Sequence, residues 1–200
     1  MLNVLRHGRR VAHPCAGFES KALKILKEFI FMNLIVREAS QDDVKVISLI
    51  SVTTWKIAYR GLLPDEFLDS LSVEMREKNI LKGIKIPSNR YAIAELGGQP
   101  VGMICFYPLD NVNFKGIDWE IEALYVLPQY WNKGVGRTLI KYAFQCMVEN
   151  KANTCNLWML KYNENARKFY ERVGMSFSGK EKTIKIGIKE HIEVNYHINF

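Results

Sequence analysis

At 200 residues, 48% hydrophobic, 24% charged and 12% aromatic, the chain is long enough to bury the core of one domain and too rich in aromatics to be disordered. It lacks any run of the roughly 18 or more apolar residues that a membrane helix needs. Its net charge of +7 is concentrated in residues 1–31, where Arg6, Arg9, Arg10, Lys21, Lys24 and Lys27 outnumber Glu19 and Glu28; the remainder carries only +3, which suits a small anionic ligand and lacks the basic stripe of a nucleic-acid binder.

Residues 1–19 mix Arg, His, Pro and Gly without a period, and Ser20 then caps a short basic helix with Ala22, Ile25, Leu26, Phe29 and Ile30 on its apolar side. This head reads as an N-terminal extension to a domain that opens at Met32; a targeting, membrane-surface or partner-binding segment is the alternative. The expected organisation is an extension over 1–31 and one domain over 32–200.

Asn33–Arg37 is predicted as a strand, and Ser40 followed by Asp43 signals a helix over Gln41–Ala58 in which Val44, Ile47, Ile50 and Ile57 keep helical spacing. Pro64 opens a second helix to about Leu81, with Phe67, Leu68, Leu71 and Met75 inward. The period then switches to two: Arg90–Leu96, the turn Gly97-Gly98 and Pro100–Tyr107 read as a hairpin, and Ile117–Val126 as a further strand. Gly134–Asn150 is the clearest helix, its stripe formed by Val135, Leu139, Ala143, Phe144, Met147 and Val148. A strand over Thr154–Leu160, a helix over Asn163–Val173 and strands over Phe177–Ile186 and Ile192–Ile198 complete a mixed α/β domain with one strand-helix-strand unit near its centre.

The informative segment is Leu124–Leu139, in which a buried strand stops at Pro128 and Gly134 and Gly136 open the long helix. Loop amides and the unpaired N–H groups of a helix start point the same way and attract phosphate oxygens. Lys133, Arg137 and Thr138 add charge and a hydroxyl. A dinucleotide-binding turn fails, because Leu139 stands where its third glycine belongs; a P-loop fails, because lysine precedes Gly134 instead of following it.

These residues, Leu124 to Pro128 followed by Lys133-Gly134-Val135-Gly136-Arg137, with Asn163, Ala166, Tyr170 and Gly174-Met175 further on, resemble the GCN5-related N-acetyltransferase (GNAT) superfamily over Asn33 to about Phe200. Arg37–Asp43 and Thr53–Glu66 also look like the opening of such enzymes. The resemblance implies a central twisted mixed sheet of about seven strands flanked by four helices, acetyl-CoA as co-substrate without a metal, and direct attack by a primary amine. Small amine, amino acid, antibiotic, peptide N-terminus and protein lysine stay open as acceptors, a small molecule being favoured because no extra domain for protein recognition is read. It implies that the backbone of Leu124, Tyr125 and Val126 meets the pantetheine arm. Trp131, Asn132, Lys133, Gly134, Val135, Gly136, Arg137 and Thr138 would surround the pyrophosphate, with Asn163 and Tyr170 also at the cofactor. Trp131 departs from the family's usual Gln or Arg, and Asn132 replaces a frequent glycine.

Acetyl transfer needs a neutral amine, a stabilised oxyanion and a proton for the departing thiolate. Glu120 and Glu122 share one face of a strand by period two; the resemblance makes Glu120 the general base, acting through water, with Glu122 second and Tyr170 the general acid. An ion-paired surface glutamate and a core tyrosine are the plainer readings. Trp55, Tyr59 and Arg60 resemble the family's acceptor wall, and helix packing explains them nearly as well. His7, His13, His191 and His197 lack metal-ligand spacing. Cys15, Cys105, Cys146 and Cys155 lack a CxxC pair, which points to free thiols in a reducing cytoplasm. The expected partners are acetyl-CoA and an amine, with no nucleic acid or membrane, and the strand edges of the closing hairpin leave room for a homodimer. A sensor that keeps the coenzyme A slot without turnover is the alternative.

Overall fold

The computed structural model describes residues 33–109 and 117–200; the expected extension over 1–31 lies outside the described residues. Strand β1 (Leu34–Glu38) leads into a capping box in which Ser40 and Asp43 satisfy each other's backbone N–H groups. One 3₁₀ turn (Gln41–Asp43) then feeds helix α1 (Val44–Ala58). Arg37 fastens this corner: its guanidinium grips both oxygens of Asp43 (2.7 and 2.8 Å), and its Nε bonds Glu95 at 2.8 Å on the neighbouring strand.

The helix expected from Pro64 to Leu81 is instead two, α2 (Asp65–Ser70) and α3 (Val73–Ile84). Leu71 adopts an extended backbone, and the Ser72 hydroxyl accepts from the Met75 N–H at 3.1 Å, which starts a new helix at an angle to the first. Pro64 is the cap of α2, not its first helical residue, and Met75, expected inward, is 59% exposed. The described residues therefore hold five helices, not four.

β2 (Arg90–Leu96) and β3 (Gln99–Leu109) form the expected hairpin, with Gly97 and Gly98 both at positive φ in the turn. β4 (Ile117–Val126), a 3₁₀ turn (Pro128–Tyr130), α4 (Val135–Glu149), β5 (Ala152–Leu160), α5 (Glu164–Arg172), β6 (Ser176–Ile186) and β7 (Lys189–Asn199) follow. The sheet order is β1-β2-β3-β4-β5-β7-β6; β4 and β5 are parallel neighbours and the other pairs are antiparallel.

Alternation along the strands sends one set of side chains to each face. Phe106, Trp119, Ile121, Cys155, Leu157 and Met159 meet Val135, Leu139, Ile140, Ala143 and Met147 of α4, with α5 alongside. Val148, expected in the same stripe, is 56% exposed, and Ile140 takes the inward place. On the opposite face Tyr91, Ile93, Met103 and Cys105 pack against Val44, Ile47 and Ile50 of α1 and Ile80 of α3. Among the described residues no helix is long and apolar enough to cross a membrane.

The Arg37 guanidinium holds the Asp43 carboxyl down, from the ordinary 3.8 to about 2. A carboxyl depressed by folding contributes stability above its unfolded value and loses it as the pH falls through the folded one, here between about pH 4 and pH 2. Asp43→Asn is expected to lower unfolding free energy at pH 7 by about 2 kcal/mol in urea titrations, and the difference from the parent should shrink across that acid window.

Candidate active site

The parallel pairing of β4 with β5 runs from Ile117 and Ala152 to Ile121 and Leu157 and then stops, although β4 continues to Val126 and β5 to Leu160. The local cause lies on β4: Ala123 pairs with Cys105 and Ile121 with Phe106, so Glu122 is an extra residue that bends the strand. Residues 122–126 of β4 and 158–160 of β5 thus flank an opening in the sheet.

Leu127 donates to the Val101 carbonyl at 2.9 Å, so Val126 and its partner Gly102 do not exchange their own amide groups. The N–H and C=O of Val126, and by alternation those of Leu124, point away from β3 into the opening. The Val126 carbonyl already accepts two bonds there, from the Thr54 hydroxyl at 3.2 Å and from the Trp131 indole N–H at 2.6 Å. Both acceptor positions of that oxygen are taken. Trp131, the departure noted in the sequence, is thus folded back over the end of β4 and is 38% exposed.

At the mouth of the opening, Asn132 and Gly134 both have left-handed backbones, φ 60° and 87°, which asparagine tolerates and glycine adopts without cost. A Cβ on Gly134 would meet nothing within 4 Å, so its φ, and not crowding, requires glycine. Gly136 is different: a Cβ there would stand 3.2 Å from the Phe169 ring of α5. The first bond of α4 runs from Thr138 N–H to Gly134 C=O at 3.0 Å, which leaves the N–H groups of Val135, Gly136 and Arg137 outside the helical ladder. The first turn of α4 contains no acid, and Lys133 and Arg137 stand at this positive end. That placement works against the helix dipole unless an anion is present.

The other face of the opening carries the carboxylates. Because Trp119 and Ile121 are buried against α4, Glu120 projects toward the α1 layer, where Tyr107 Oη donates to its Oε1 at 3.1 Å. Glu122 lies on the same side and accepts from the Cys105 thiol at 3.3 Å. Burial raises the Glu120 carboxyl above the ordinary 4.5, against the opposing pull of Tyr107 and Lys182. Trp158, the first β5 residue past the last β4 pair, faces the same way, with the Lys182 ammonium 4.1 Å from its ring centroid and Glu193 3.3 Å from that ammonium. Three phenols converge beside them. Burial raises the hydroxyls of Tyr59, Tyr125 and Tyr170; the Tyr125 charge weighs on both others and that of Tyr170 on Tyr59.

Trp55 packs at a tilt against Tyr59 (4.6 Å between centroids) with the Arg76 guanidinium 5.4 Å from its ring, and the charges of Tyr125, Tyr170 and Glu193 act on the Tyr59 hydroxyl. Arg60 does not share that environment; Asp65 and Asp69 of α2 hold it at 3.0 and 2.9 Å on exposed surface. The Asn163 side chain caps α5, its Oδ1 accepting from Ala166 N–H at 3.1 Å. Tyr107, Trp158, Lys182 and Glu193 were missed by the sequence reading. A tryptophan in a strand and a Lys and Glu in a closing hairpin look like packing and solvation until register brings them beside Glu120. Among the described residues no cluster of His, Cys, Asp or Glu is placed to hold a metal.

A sheet split between its parallel central strands, with a helix start at one mouth and carboxylates on one face, defines an acyl-CoA N-acyltransferase architecture. Residues 55–175, more than half of the chain, match the Acetyltransferase (GNAT) family model, and the chain belongs to this family of acetyl-CoA-dependent enzymes. It is similar to an uncharacterised N-acetyltransferase of Bacillus subtilis, 26% identical over 132 residues covering 64% of this chain and 72% of that protein. It is also similar to a spermidine N(1)-acetyltransferase of Thermoplasma acidophilum, 26% identical over 145 residues covering 72% of this chain and 88% of the relative. The fold matches that of PaiA N-acetyltransferase from Thermoplasma acidophilum, solved in complex with coenzyme A, with a TM-score of 0.70, 19% identity, and coverage of 84% of this chain and 99% of that one.

Trp131→Phe keeps the ring and removes the N–H that occupies the Val126 carbonyl. Coenzyme A is expected to bind the variant about two- to tenfold more tightly in calorimetry, the range of one net hydrogen bond returned to the ligand. Unchanged or weaker binding would show that this carbonyl is not a cofactor partner.

Proposed function

We propose that this enzyme transfers the acetyl group of acetyl-CoA to the primary amine of a small cationic molecule by direct attack in a ternary complex. The observation that carries the reading is the opening past Ile121 and Leu157, with amides and bases at one mouth and Glu120 on one wall. Acetyl-CoA supplies the activated acyl group. Residues 132–138 fit its pyrophosphate: the left-handed Gly134 leaves space where a Cβ would stand, and Lys133 and Arg137 complement an anion. The Leu124 and Val126 amides face the route of the pantetheine arm.

Glu120 takes the proton of the incoming ammonium, directly or through water, and burial makes it a stronger base than an exposed carboxylate. Glu122 reinforces the negative wall and is the second carboxylate able to accept that proton. The N–H of Val126, pointing into the opening, faces the oxygen that becomes anionic in the tetrahedral adduct. Tyr170, like any phenol, is protonated at neutral pH, and it gives that proton to the departing thiolate. Trp55 and Tyr59 wall the acceptor, while Arg60 holds α2 in place from the surface.

The cationic acceptor is supported by the charge of that wall, where Glu120, Glu122 and Glu193 face Lys182. The naming of one relative for spermidine is consistent with it.

Steady-state assays with acetyl-CoA and an amine panel test this. Glu120→Gln is expected to lower kcat/KM at pH 7 by about 100-fold or more, and to abolish the acidic limb of the parent's pH profile, whose midpoint should lie above the ordinary carboxylate value of 4.5. Tyr170→Phe should reduce kcat by about tenfold or more with coenzyme A affinity nearly unchanged. Binding without turnover in the parent would instead support the sensor reading.

A further inference from the structure

The described part of the acceptor wall already contains an ammonium group, and it belongs to the protein. Lys182 reaches from edge strand β6 across β7 so that its Nζ lies 4.1 Å from the Trp158 centroid and 3.3 Å from Glu193 Oε2. A cation over an indole face, flanked by a carboxylate, is how proteins recognise alkylammonium ions. Trp158 is the residue at which β5 parts from β4, so this contact borders the opening instead of decorating a remote surface. The charge of Lys182 acts on Glu120, as do those of Glu122 and Glu193, so all four charged groups share one neighbourhood. Yet Lys182 is 43% exposed and its ion pair single, so the contact is weak enough to be exchanged.

We propose that Lys182 is a specificity-determining residue: a tethered ammonium that occupies the Trp158 and Glu193 subsite until the second, non-reacting ammonium of a diamine takes its place. The inference rests on the cationic-amine reading above and deepens it. A monoamine puts its single nitrogen at Glu120 and leaves Lys182 where it is. A diamine gains Trp158 and Glu193 only by displacing Lys182, so Lys182 sets a penalty that falls on diamines alone. Its charge also lowers the Glu120 carboxyl, an effect that falls on both kinds of amine, so the penalty is read from the ratio between them.

The test compares n-butylamine with putrescine, its diamine counterpart, in the parent, Lys182→Met, Lys182→Arg and Lys182→Met combined with Glu193→Gln. Lys182→Met is expected to lower the KM for putrescine relative to that for butylamine about three- to thirtyfold, the range of an exposed cation–π contact plus one exposed ion pair, any change at Glu120 being common to both amines. Lys182→Arg should retain the parent's selectivity, and Glu193→Gln added to Lys182→Met should take back part of the gain for putrescine relative to butylamine. A kcat/KM for putrescine relative to that for butylamine that is unchanged or lowered in Lys182→Met overturns the proposal, as does an equal effect on both amines. Calorimetry of putrescine against the protein loaded with coenzyme A reads the same competition without turnover: tighter binding by Lys182→Met supports the subsite even if no amine is acetylated, a result that would overturn the catalytic reading alone, whereas equal binding by both proteins overturns the subsite.

Discussion

The pairing of β4 with β5 ends at Ile121 and Leu157 while both strands run on, and the rest of the molecule is arranged around that loss. Two strands leaving their ladder expose N–H and C=O groups that must find other partners. On β4 the bulge at Glu122 turns the strand away, β3 keeps its own bonds, and Leu124 and Val126 present their amides to the opening. The Val126 carbonyl is satisfied by Thr54 and Trp131. An extended ligand with alternating amide groups could fill the role of the missing strand, so the opening is both a cost to the sheet and a recognition surface.

Electrostatics divides the opening into two unlike ends. The α4 start has a positive helix end and two bases without an acid among its first-turn residues, whereas the face toward α1 has Glu120, Glu122 and Glu193 around one lysine. Each arrangement is unfavourable for the fold taken alone: bases oppose the α4 dipole, and clustered carboxylates repel. Together they suit a substrate pair of opposite charge, an anionic cofactor head at one end and, on the function proposed above, a cationic amine at the other. The small +3 excess outside residues 1–31 conceals this separation.

The extent to which the sequence could be read follows from which interactions are local. The hairpin around Gly97-Gly98, the Ser40 and Asp43 cap and the α4 stripe depend on neighbours within a few residues, and their positions were legible. The break between α2 and α3 was not, because a serine three residues before Met75 is a cap only if Leu71 leaves the helix, and helical spacing continues across it. The loop at 131–138 could be read from its glycines, yet the reason for Gly136 differs: the Phe169 ring, 33 residues further on, denies it a side chain. The acceptor face was half legible. Glu120 stood out as a carboxylate in a strand, whereas Trp158, Lys182 and Glu193 meet only through the β5-β7-β6 order, a long-range register that periodicity does not encode.

The contact between Gly136 and Phe169 also explains how distant chemistry stays in register. Phe169 packs edge-on against Tyr170, the next residue of α5, with centroids 5.2 Å apart. The α4 start and the phenol are therefore set by the same ring: one side of Phe169 rests on the glycine of the phosphate-facing loop, the other on Tyr170. A side chain at 136 would crowd the end of the Phe169 ring, and the neighbouring α4 positions Val135 and Leu139 leave α4 little room to retreat, since they are buried against Gly102, where a Cβ would find their side chains at 3.1 Å. With α4 fixed to the sheet by that close approach, displacement would fall on α5 and carry Tyr170 away from the opening. The second glycine of the motif thus couples the start of α4 to the position of the Tyr170 phenol through packing alone, which is why a side chain there would disturb both.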